Sequence, residues 1–307
     1  MASVPIDAHG REAERPAEIP ERGWWQIAKR VKAKSKEDRL SIIAAGVAFY
    51  GLLAVFPALV ALVALYGLVA DPAMVESHAA ALASMLPPEA AQVLTTQLHD
   101  LAATDQSALG IGAVGGLLVA LWSASSAVRT LMEALNVAYN EEERRGMISF
   151  YATALILTFG GILGVAAAMA LVVGVPAVLK LLGLGGLLET LLSLARWPVV
   201  AALAIVGFAL FYRFGPSRKQ PRWRWVSWGA AIAVALWVAG SALFSLYVTR
   251  FGDYNETYGA AGAIVILLMW FLLSAYAILI GAEIDAEMER QTARRTRSAN
   301  SDSILTN

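Results

Sequence analysis

Ser125, Arg129, Glu133, Asn136 and Asn140 are spaced by four, four, three and four residues, so they fall on one face of a single helix while Val128, Leu131 and Leu135 fall on others. Hydroxyl, guanidinium, carboxyl and amide groups in one stripe can pass or hold a polar group. They can equally lock helices together. A later apolar run ends in Gly281, Glu283, Asp285 and Glu287. Charges at a membrane edge are costly unless paired, so Arg129 is expected to pair with Glu133 or Glu283. Ser125, Arg129, Glu133, Asn136, Asn140 and Glu283 therefore form a candidate polar mouth, with no catalytic residue among them.

Enzymatic chemistry has little else to draw on. The three histidines are His9, in a polar leader, and His78 and His99, so none cluster at metal-ligand spacing and no metal site is expected. Without cysteine there is no disulfide, no thiolate nucleophile and no sulfur-bound zinc. Neither a phosphate-cradling GxxxxGKS/T loop nor GxSxG is present. The chain reads as a non-enzyme without a cofactor. Its 24 basic and 24 acidic residues cancel, which gives no global attraction to nucleic acid.

The elements that must position the stripe are apolar helices. With 58% hydrophobic residues, 16% charged and a mean hydropathy of +0.60, the composition is too apolar for a soluble single-core domain. A hydrocarbon core about 30 Å thick needs roughly 20 apolar residues per helix. Six stretches qualify: Ile42 to Ala70, Leu109 to Val128, Ser149 to Val173, Trp197 to Tyr212, Val226 to Val248 and Gly259 to Ala282. The fourth is short unless Leu191 and its neighbours lengthen it. Of the 24 Lys and Arg residues, all but Lys180, Arg196 and Arg250 fall before the first stretch or after the second, fourth and sixth. That bias puts both termini in the cytoplasm. The fold class is an all-α, multi-pass helical membrane protein with six helices, and the bilayer is its first partner.

Residues 1–22 form a polar leader expected to be disordered, with no cleavable signal sequence, so the first span acts as an uncleaved anchor. The transmembrane domain covers 23–290, and 291–307 is expected to be a disordered tail. Within 24–36, Trp24, Ile27, Ala28 and Val31 face away from Lys29, Arg30, Lys32 and Lys34, as in a helix lying in the headgroup layer. Pro57 should bend the first span. The segment 71–107 carries no Lys or Arg, and its stretch from Pro88 to Ala103 predicts a helix burying Val93, Leu94, Leu98 and Leu101. The glycine-broken stretch 174–198 fits an interfacial or a re-entrant element. Tyr50, Ser274 and Tyr276 are polar positions within spans, and Gly112 with Gly116 and Gly160 with Gly164 repeat a small-residue spacing suited to close packing. GAVGGLLVALWSASSA from Gly112 and GAAGAIVILLMWFLLSA from Gly259 share a faint repeat.

Three blocks carry a family resemblance: AAGVAFYGLLAVFPALV from Ala44, LWSASSAVRTLMEALNVAYNEEERRG from Leu121, and FSLYVTRFGDYNETYGAAGAIVILLMWFLLSAYAILIGAEI from Phe244. They resemble the YihY/BrkB family of inner-membrane proteins over about residues 25 to 288. The resemblance implies six helices in the bacterial inner membrane and no settled biochemical activity. That family was once labelled ribonuclease BN, a metal-dependent activity needing clustered histidines that this chain lacks, and is also called virulence factor BrkB-like for a link to serum resistance. Parts of it are suspected of moving lipids or other amphiphiles. A transporter or flippase-like protein for a lipid or amphiphilic substrate is the leading expectation, and a structural scaffold of the cell envelope is the alternative. The sequence does not give the oligomeric state.

Overall fold

The computed structural model describes residues 16–69, 106–175, 187–218, 223–250 and 254–304. A 3-10 turn at Pro16–Glu18 precedes α1 (Glu21–Glu37), α2 (Leu40–Val69), α3 (Gln106–Tyr139), α4 (Met147–Met169), α5 (Leu187–Phe214), α6 (Trp223–Arg250) and α7 (Tyr254–Ile304). Among the described residues there is no strand. By length and apolar composition, Met147–Val172, Leu194–Phe214, Trp228–Thr249 and Gly262–Gln291 can each cross a membrane. A fifth span results if α1 and the start of α2, bent by 66°, count as one.

Several boundaries differ from the sequence reading. Helix α5 starts at Leu187 rather than Trp197 and continues through Pro198, which removes one backbone donor that neighbouring helices can compensate in an apolar setting. Helix α7 runs on to Ile304, through the stretch from 291 that reads as a tail and that holds neither Gly nor Pro. Helix α2 is a single helix through Pro57, whose side chain lies outside the described residues. The segment 70–105, with the expected helix from Pro88 to Ala103, also lies outside them, as do 176–186 and residues 1–15 of the leader.

The described residues fall into two compact units. One lies within Met1–Ala44, Leu131–Gly240 and Ser274–Asn307, and the other within Ala45–Thr130 and Ser241–Leu273. In the first, α1 packs on the end of α7: Ile19, Ile27, Val31 and Met288 are buried together, with Trp24, Ile280 and Ile284 against them. The apolar face of α1 is therefore spent on protein and not left wholly for headgroups. Arg30 ties the two helices, donating through Nε to Glu287 at 2.6 Å and through Nη2 to Gln291. Helices α4 and α5 are joined where α4 widens into a π turn at Ala170–Gly174 and Arg196 donates to the Val172 carbonyl at 3.1 Å.

Close approach between α6 and α7 depends on two glycines. A Cβ on Gly229 of α6 would lie 2.6 Å from Asp285 Cβ, and one on Gly281 of α7 would strike Ala233 and come within 2.5 Å of Tyr212 Oη. Gly160 and Gly164, the pair suggested by spacing, face open space within the chain. In the second unit, a Cβ on Gly51 would meet the Phe271 ring at 3.7 Å, an ordinary contact. Gly281→Val should therefore lower thermal stability in detergent by the equivalent of about 1–3 kcal/mol of overpacking, while Gly160→Ala leaves it unchanged or slightly higher. Equal melting shifts for the two variants would show that α6 and α7 do not pack through Gly281.

A buried polar network and an apolar groove

The residues of the polar stripe do not act as one group. Ser125 is buried, and its hydroxyl donates to the Trp122 carbonyl at 2.7 Å. Arg129 reaches back one turn, donating to Ser125 Oγ and Ser126 Oγ at 2.6 Å each and lying 5.0 Å from the centre of the Trp122 ring. These described contacts run toward the helix start, whereas Glu133, the partner proposed one turn ahead, is exposed. Asn140 is a helix stop. It adopts φ 57°, its N–H bonds to Val137 O at 2.9 Å, and the Glu141 N–H bonds to Asn136 O at 2.8 Å. This pair of backbone bonds around a left-handed residue closes α3, a position that Asn tolerates better than most residues.

Asn136 serves the turn that follows. Its Nδ2 donates to Glu143 Oε2 at 3.0 Å while its Oδ1 accepts the Ser217 N–H at 2.7 Å, so it joins the turn after α3 to the turn after α5. Arg145 completes the latch. It donates to Glu143 from Nε at 2.8 Å and from Nη2 at 2.7 Å, and also to the carbonyls of Phe214 at 3.0 Å and Gly215 at 2.6 Å. Hydrogen bonds from Arg145 hold the Glu143 carboxyl down at a pKa of about 2, well below its ordinary 4.5.

The turn so fixed delivers Arg218 to a buried acid. Asp285 is fully buried and accepts from Tyr139 Oη at 2.7 Å; Arg218 Nη2 stands 3.9 Å from it and donates to the Tyr212 carbonyl at 2.9 Å. The other arm of Arg218 pairs with Glu289 at 3.0 Å, and its guanidinium lies 3.8 Å from the centre of the Tyr139 ring. Tyr212 donates to the Ile278 carbonyl at 2.6 Å. Tyr139 from α3 and Arg218 from the turn after α5 thus meet at one carboxyl of α7, while the Tyr212 carbonyl and Glu289 hold Arg218 in place. Of these residues, sequence reasoning singled out only Asp285. Arg218 entered merely as evidence of sidedness, and Tyr139 and Tyr212 carried no signal. Ser274 has the plain role its position suggested, accepting from Trp237 Nε1 at 2.9 Å.

Glu283 is also fully buried, and neither of its carboxyl oxygens has a hydrogen-bond partner among the described residues. In the break between α1 and α2, Lys34 donates to Asp38 Oδ1 at 3.2 Å. Beside it, α1, the start of α2 and α7 enclose an open groove of about 750 Å³ with walls of Trp24, Ile27, Val31, Ile42, Ile280 and Ile284. Lys32, Lys36 and Arg39 stand on its edge. None of the polar-stripe residues lines it.

Among the described residues, no group of three or more His, Cys, Asp or Glu is placed to hold a metal ion. The profile of the family described as virulence factor BrkB matches residues 31–304. This chain belongs to that family. Among its BrkB-type relatives, a UPF0761 membrane protein of Photobacterium profundum is 31% identical over 258 residues, covering 82% of this chain and 77% of its own. Another, of Idiomarina loihiensis, is 30% identical over 216 residues, or 68% of this chain and 71% of its own. YfkH of Bacillus subtilis, which carries a ribonuclease-like name, is 33% identical over 180 residues, spanning 57% of this chain and 65% of that protein. No solved structure matches the chain. Membership in the BrkB family and the apolar helices together make this an integral membrane protein.

Two outcomes test the network. Arg218→Leu should cost about 3–5 kcal/mol because it strands the Asp285 carboxylate, and adding Asp285→Leu should recover part of that loss, read as melting temperature in detergent. A double variant no more stable than the single would mean Arg218 does not compensate Asp285. For Glu143, whose folded pKa is depressed, the latch contributes fully above about pH 4.5 and is lost as pH falls through about 2. Glu143→Gln should flatten the acid limb of the stability profile between those values, and an unchanged limb would remove Glu143 as its cause.

Proposed function

We propose that this chain is a non-enzymatic protein of the bacterial inner membrane that moves a lipid or another amphiphile, in the manner of a transporter or flippase. The observation that carries the reading is the groove between α1, α2 and α7: its walls are apolar, its edge is basic, and it sits where the apolar part of α7 gives way to charge. A ligand suited to it has a greasy part and a polar part. The entrance differs from the mouth expected on α3, since the stripe from Ser125 to Asn140 is spent on internal bonds and a helix stop.

In this reading α2 to α7 are the six spans and both termini lie in the cytoplasm, which the distribution of basic residues supports. Reporter tags at Ser217 and the C-terminus should report cytoplasm, and a tag at Gln106 the opposite side. Reversal of any one overturns the orientation. Movement itself is read in liposomes carrying a fluorescent phospholipid in one leaflet. The wild-type chain should speed its exchange well above protein-free vesicles, and Ile284→Trp, which fills the groove, should remove the gain. No exchange above background, in a protein still folded, would favour the scaffold alternative.

A further inference from the structure

We propose that the groove between α1 and α7 is a binding site for a phospholipid with a net negative headgroup, the phosphate seated on Lys32, Lys36 and Arg39 and the acyl chain lying along Tyr276, Ile280 and Ile284. This rests on the amphiphile reading of the groove and names the class it selects.

The charges decide the class. Lys32, Lys36 and Arg39 follow one another at helical spacing along α1 and into the break, and all three are exposed. The other cations that face α7 or the break are already matched: Arg30 with Glu287, and Lys34 with Glu37 and Asp38. Among the described residues no acid pairs with the three at the groove, and no carboxylate lines it. A zwitterionic headgroup would bring its own cation toward this cluster, whereas an anionic one brings none. Ser35 stands between the two lysines on the same wall.

The opposite wall decides the rest of the ligand. Tyr276, Ile280 and Ile284 are four residues apart on α7 and form one face, within the stretch Gly262–Gln291 that can cross a membrane. Ile42, at the start of α2, is 66% exposed beside them. A soluble phosphate compound would leave this apolar wall wet. A membrane lipid covers it without leaving the bilayer.

The test uses the full chain in mixed micelles, titrated with dioleoyl phosphatidylglycerol or dioleoyl phosphatidylcholine, with retained lipid counted by native mass spectrometry. Each cation close to an anionic lipid is worth about a fivefold preference, so the wild type should retain the anionic lipid at least about tenfold better. Lys32→Gln with Lys36→Gln and Arg39→Gln should erase that preference, and Lys32→Arg with Lys36→Arg should keep it. Lys29→Gln, which lies over Trp25 away from the groove, should change nothing. Equal retention of the two lipids by the wild type, or undiminished preference in the triple Gln variant, overturns the proposal; so does displacement of the lipid by inorganic phosphate alone. If phosphatidylcholine binds equally and is moved across vesicles, the anionic site falls and the transport reading stands. Selective retention without movement gives the reverse.

Discussion

A carboxylate removed from water has to be met by donors or cations, and Asp285 sets that demand at the polar end of the first unit. Much of what surrounds it can be understood as its solvation. Tyr139 ends α3 with its hydroxyl on the acid, and Arg218 arrives from the turn after α5. Helix α6 passes so close that only glycine fits at position 229. Each of these would be an odd choice alone: a tyrosine at a helix end, an arginine 6% exposed, a glycine inside an apolar helix. Around one buried carboxyl they fit together. The tyrosine and arginine supply hydrogen bonds and charge, and the glycine lets the α6 backbone close over them.

Arg218 can reach Asp285 only if its turn is held, and that is the contribution of the latch. Asn136 grips the backbone of Ser217 on one side and Glu143 on the other, while Arg145 fastens Glu143 to the carbonyls of Phe214 and Gly215. Two turns thereby position a buried cation. The ordering is economical in entropy, because a turn already held by three hydrogen bonds from Asn136 and Arg145 loses little more when its arginine is buried.

The sequence made the helices legible and much of their wiring illegible. Length and hydropathy placed the later apolar stretches well, because a membrane leaves the backbone few alternatives. Periodicity found the apolar face of α1 through Trp24, Ile27 and Val31, yet its partner, Met288, lies far along the chain and no local pattern points to it. Asn136 and Asn140 were noticed for their polarity, which is shared by a pore lining, an interhelical clamp and a helix cap. Only the backbone angle at Asn140 and the partner of Asn136 separate these roles. The early start of α5 was hidden by Pro198, since local propensity counts proline against a helix that tertiary contacts go on to sustain.

The docking of α1 has a consequence for how the chain is made. Arg30 and Glu287 are 257 positions apart, so α1 is made long before the part of α7 it packs on. At roughly 5–20 residues per second, that interval is about 13–50 s. Throughout it, Ile27 and Val31 have no Met288 to cover them, and the membrane surface is the available shelter for an amphipathic helix with a basic face. Only once the end of α7 is made can α1 pack on it, so this contact forms late in synthesis. A chain truncated before Glu287 would lack this partner, and the apolar face of α1 would stay uncovered by α7.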